Sequence, residues 1–74
     1  MSEFGVVLFH TTSAALRAEK VLQKAKVTTK LIPVPREFSS DCGIALRFVW
    51  AGHQAVLDEL TTQRVEIASI HQLS

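Results

Sequence analysis

The chain has a single cysteine, Cys42, in the run Pro35-Arg36-Glu37-Phe38-Ser39-Ser40-Asp41-Cys42-Gly43. The chemistry open to a lone cysteine is that of its thiolate, which attacks sulfur and other soft electrophiles. An unperturbed thiol of pKa ~8.5 is only about 3% ionised at pH 7, and lowering that pKa by two units takes about 2.7 kcal/mol. A helix N-terminus supplies about 0.3–1 kcal/mol. Arg36 or a protonated His10 must therefore help, while Asp41 opposes ionisation. A free cysteine is often no more than a small buried hydrophobe, but Cys42 lies in a polar stretch rather than on an apolar strand face. Ser39 and Ser40 are turn formers, and no base and orienting acid mark either as a hydrolytic nucleophile. Gly43 is expected to supply a backbone angle that other residues avoid.

The remaining ligating residues, His10, His53 and His71, stand at no metal-motif spacing from one another or from Cys42. No metal and no cofactor is expected. One thiol without an evident base is also a poor constellation for turnover, so an enzyme is the weakest reading.

The elements that must hold this loop follow from the apolar pattern. Residues 4–10 are a short β-branched and aromatic run, read as a strand. Thr11, Thr12 and Ser13 offer capping oxygens. Ala15, Ala18, Leu22 and Ala25 then recur at threes and fours, predicting a helix over residues 14–26. Residues 27–34 form a second strand, and Pro33 and Pro35 near its end place it at a sheet edge. After the loop, Ile44, Leu46, Phe48 and Trp50 alternate along a third strand, with Arg47 facing solvent or pairing with Glu66. Val56, Leu57 and Leu60 give a second helix over 51–63, and residues 65–71 a final strand.

The resulting order, βαββαβ, predicts an α+β ferredoxin-like two-layer sandwich: an antiparallel four-stranded sheet with two helices on one face. In that connectivity His10, Thr11, Thr12, the start of the first helix and the 35–43 loop all meet at one rim of the sheet. His53 lies at the other.

Length and composition bound the partners. Seventy-four residues make one domain, 1–74, with a thin stability margin. A formal charge of +1 gives no basic stripe for nucleic acid, and Lys20, Lys24 and Lys26 read as a solvated helix face. No apolar run spans a bilayer, the start Met1-Ser2-Glu3-Phe4 is not a signal peptide, and one cysteine builds no disulfide framework. A cytoplasmic protein is expected, with neither nucleic acid nor membrane as partner.

Several segments carry a resemblance. Val7-Leu8-Phe9-His10-Thr11-Thr12-Ser13-Ala14-Ala15-Leu16, Glu19-Lys20, Lys30-Leu31-Ile32-Pro33-Val34-Pro35-Arg36 and Ser39-Ser40-Asp41-Cys42-Gly43-Ile44-Ala45-Leu46 resemble the selenium/sulfur carrier protein-like family, a small bacterial family. The match covers roughly residues 5–50 and is most specific from the Pro-Arg pair to Cys42-Gly43. Phe38 stands where an aliphatic residue is expected. The resemblance implies a carrier that holds a sulfane sulfur or selenium on Cys42 as a persulfide or perselenide and passes it from a donor protein to an acceptor protein. Ser39, Ser40 and Gly43 would shape the loop and Arg36 would balance the anion.

Two other classes compete with a carrier. One is a non-catalytic module that binds a small anion or a protein partner through the loop and the helix start. The other is a homodimeric interaction domain, which outward-facing Trp50 or Phe48 would favour.

Overall fold

The computed structural model describes residues 3–38 and 43–73. Four strands and two helices follow the expected order: β1 (Phe4–Leu8), α1 (Thr12–Lys24), β2 (Thr29–Pro33), β3 (Ile44–Val49), a 3₁₀ turn (Trp50–Gly52), α2 (His53–Thr62) and β4 (Ser69–Gln72). The sheet runs β2-β3-β1-β4, and every neighbouring pair is antiparallel. This is the ferredoxin-like α+β fold.

Alternation along the strands separates two apolar layers. Val7, Leu46 and Phe48 face the helices and join Phe9, Ala15, Ala18, Leu22, Val56 and Leu60 in the main core. The alanines on α1 bring that helix close to the sheet, since they add little between backbone and core. On the other face Val6, Leu8 and Ala45 are also buried, beneath Ile32, Val34, Phe38 and Leu73. A sheet face opposite the helices is ordinarily wet; here the chain's own loop and tail cover it.

The helix ends explain how the strands are fed. Thr11 is the N-cap of α1, and its hydroxyl accepts from the Ala14 N–H at 3.1 Å. Such a cap is worth about 1 kcal/mol. Both helices close with the same paired bonds. Lys26 N–H donates to Gln23 O and Val27 N–H to Leu22 O; Arg64 N–H donates to Thr61 O and Val65 N–H to Leu60 O. Lys26 (φ 62°) and Arg64 (φ 57°) take the left-handed position that glycine more often fills. Val65 is thereby turned into the core, and β4 starts at Ser69 rather than at residue 65.

At the lower rim, where β3 ends, Trp50 N–H donates to Glu3 O (2.7 Å) and Leu73 N–H donates to Phe4 O (2.9 Å). Phe48 is buried and the Trp50 ring packs against the core, stacked on His53 at 4.3 Å. Neither aromatic forms the outward face that would favour self-association. Arg47 lies over the Phe4 ring, 4.5 Å from its centroid, rather than reaching for Glu66.

Thr29 on edge strand β2 carries a buried hydroxyl with no hydrogen-bond partner. Thr29→Val keeps the β-branched shape and removes the unsatisfied oxygen, so it is expected to raise stability by about 1 kcal/mol. Urea unfolding checks this; an unchanged or lower midpoint refutes it.

Candidate functional site

The upper rim is assembled by connectivity. β1 and β2 end there at Leu8 and Pro33, α1 starts there at Thr12, and β3 starts there at Ile44. Val34 N–H donates to Gly43 O at 3.3 Å, so the β2–β3 ladder closes the base of the loop one step beyond the strands. Carrying the β1–β3 register from Leu8↔Ala45 two residues further sets His10 level with Gly43. The convergence of His10, Thr11, Thr12, the α1 N-terminus and the base of the loop is therefore as expected.

Phe38 N–H donates to Pro35 O at 3.0 Å, closing a turn with Arg36 and Glu37 at its exposed corner. Proline fixes the entry to that turn. The Phe38 side chain then lies back over the face opposite the helices, against the Val6–Leu8–Ala45 cluster, and stacks on His71 of β4 with ring centroids 4.4 Å apart. His71 Nε2 shares a hydrogen bond with the Ser69 hydroxyl at 2.9 Å. The register places Ser69 and His71 opposite Leu8 and Val6, on the face that Phe38 covers. The chain thus leaves β2 at one edge of the sheet and reaches the opposite edge strand within the span 34–38.

Cys42, Ser39, Ser40 and Asp41 lie outside the described residues. Of the other expected site residues, His10, Thr11 and Thr12 are exposed at the rim and Arg36 is exposed on the turn. Gly43 corrects an expectation. No described glycine has a positive φ, and a Cβ at Gly43 would meet nothing within 4 Å. Its carbonyl accepts from the Val34 N–H where the chain bends into β3.

Sequence reasoning missed Phe38, Ser69 and His71. In the sequence Phe38 stands only as an aromatic in place of an aliphatic residue, and His71 only as a histidine at no metal-motif spacing. Their pairing spans 33 positions and depends on strand order, so no local signal marks it. His53, by contrast, sits at the opposite rim, where its Nδ1 hydrogen-bonds with Trp50 O at 2.9 Å. Among the described residues no cluster of three or more His, Cys, Asp or Glu could hold a metal, and no helix is long and apolar enough to cross a membrane.

The N-terminus of α1 also lies at this rim. Its first turn contains no acidic residue, so its partial positive charge is not offset from within the helix.

A family model described as Putative Se/S carrier protein-like matches residues 4–72. No curated protein and no solved structure matches the chain.

Proposed function

The chain belongs to the Putative Se/S carrier protein-like family, and from that premise we propose that Cys42 carries a sulfane sulfur or selenium between protein partners. The observation that carries this reading is the family match itself. It runs through the one segment that holds the chain's only cysteine, Ser39-Ser40-Asp41-Cys42-Gly43.

Loading is a thiol exchange with no net redox change. The Cys42 thiolate attacks the terminal sulfur of a donor persulfide. The bond between the donor's two sulfurs breaks, and the donor leaves as its thiolate. The product on Cys42 is a persulfide, and unloading is the same step run onto an acceptor thiolate. Selenium follows the same route as a perselenide. Arg36, or His10 in its protonated form, would favour the thiolate and the loaded anion. The α1 N-terminus contributes a smaller share, about 0.3–1 kcal/mol.

The Phe38–His71 stack supports this reading from another side. A carrier must present its loaded atom to two partners in turn, and it gains from a loop anchored at Val34–Gly43 and again at Phe38. Anchors of this kind reduce the conformational freedom lost when a partner binds.

Incubation with a persulfide donor followed by intact mass measurement tests the proposal. The wild-type chain is expected to gain the mass of one sulfur, and Cys42→Ser none. An equal adduct on the variant, or none on wild type, overturns it.

The uncompensated start of α1 favours a second reading, a module that binds a small anion or a partner's carboxylate without covalent chemistry. There Cys42→Ser would leave binding intact, while Arg36→Ala would abolish it.

A further inference from the structure

The outer surface of the helix layer carries a cleft of about 470 Å³ between α1 and α2, walled by Arg17, Lys20, Lys24 and Glu59 over a floor that includes the half-buried Val21. A second hollow of about 280 Å³ adjoins it at Arg17 and continues past Arg64 and Glu66 to Ser13. Arg17 belongs to both because its guanidinium donates to the Gln63 carbonyl at 2.9 Å, tying the C-terminal end of α2 to the second turn of α1. The two hollows meet at the Arg17 side chain, which divides them, and together make a two-part trough beside α1 from Lys24 to Ser13.

Charge is distributed unevenly around this trough. Four cations against two carboxylates give its walls +2, whereas the whole chain carries +1. All of the chain's excess positive charge is therefore concentrated here. Lys20 and Lys24 are one helical turn apart, and Leu16, one turn before Lys20, is 44% exposed beside them. The walls are long side chains rather than converging backbone N–H groups, an arrangement that suits an extended acidic surface better than a small anion. Glu59 and Glu66 among the cations, and the low total charge, argue against a nucleic-acid backbone.

We propose that this trough docks a protein partner through an acidic segment with an apolar residue for Leu16. The trough ends at Ser13, two residues from the Thr11 cap, so a partner seated along it reaches the rim from which the 35–43 loop departs. On the carrier reading, from which this assignment of the partner follows, the occupant is a protein that delivers or receives the sulfur or selenium. Electrostatic contacts of this kind steer encounter and fix orientation while leaving release fast.

The test uses the ¹⁵N-labelled full chain and an alanine-based helical peptide with glutamates at helical spacing, followed by amide shifts at low and high salt. Shifts are expected along residues 13–24 and 59–66, fading as salt rises. Lys20→Glu with Lys24→Glu is expected to weaken binding by at least about tenfold, because each reversal removes an attraction and adds a repulsion. The corresponding glutamine pair should give a smaller loss in the same direction. Lys26→Glu with Lys30→Glu, outside the trough, is expected to change it little. Equal losses from the two glutamate pairs, shifts scattered over the molecule, or tighter binding of a single-stranded RNA would overturn the proposal. Sulfur loading from a small polysulfide separates the two readings. A wild type that docks the peptide but takes no sulfur keeps the docking surface and removes the carrier. A wild type that loads sulfur but ignores the peptide does the reverse.

Discussion

Gly5→Ala is expected to destabilise the protein by about 3 kcal/mol, at the upper end of what an added methyl costs in a filled site. A Cβ at Gly5 would lie 2.5 Å from Trp50 Cε3, 2.9 Å from the His71 carbonyl oxygen and 2.9 Å from Phe48 Cζ. None of the three can yield cheaply. The carbonyl is backbone of β4, hydrogen-bonded into the sheet beside β1. Phe48 is buried, and Trp50 is held between Phe48 and His53, nearly parallel to the latter at 7°. The strand conformation at Gly5 is ordinary, so the glycine serves space rather than φ. A domain of this size typically has a stability of about 4–11 kcal/mol, so the variant loses a large share of it. Thermal unfolding followed by Trp50 fluorescence should show a fall of roughly 12–24 °C. A fall under about 5 °C refutes the steric argument. Trimming the ring in Gly5→Ala/Trp50→Leu should cost less than the two single changes summed, the sign of a shared clash.

Phe38→Ala is expected to cost about 2 kcal/mol and to loosen the loop. The ring is half-buried, so the 3–5 kcal/mol typical of a fully buried phenylalanine is an upper limit. Its stacking on His71 adds about 0.5–1.5 kcal/mol to the area it covers. Losing it uncovers Val6, Leu8 and Ala45 and releases the chain between Val34 and the turn at Pro35. Hydrogen exchange separates local from global effects. The residue 38 amide, bonded to Pro35 O, should exchange at least about tenfold faster, while amides of β1 and β3 accelerate only as far as the fall in overall stability requires. Uniform acceleration throughout would mean that Phe38 is simply core. His71→Ala should reproduce the loop effect at a smaller cost in stability.

The residues differ in how much they disclosed before the fold was known. The helix over α1 was legible because Ala15, Ala18 and Leu22 share one face, and edge strand β2 because Pro33 and Pro35 cannot serve an inner ladder. The rim that gathers His10, Thr11 and Thr12 followed from element order alone. Three things did not follow. Lys26 and Arg64 take left-handed positions without glycine, which shortened the expected strands at their N-terminal ends. Gly5 is required by a tryptophan 45 positions away, and no local pattern records that. Lys20 and Lys24 had read as an ordinary solvated face, since their grouping with Arg17 and Arg64 depends on how α2 packs beside α1. For the candidate site, the sequence supplied Cys42 and its polar loop, whereas the Phe38–His71 anchor needed the strand order.

The bond from Leu73 N–H to Phe4 O brings the two ends of the described chain side by side at the lower rim. The fold is thus nearly a closed ring of sequence. A short linker from residue 73 to residue 3 would close it with little loop entropy to lose, which makes circular permutation a practical way to move the break in the backbone.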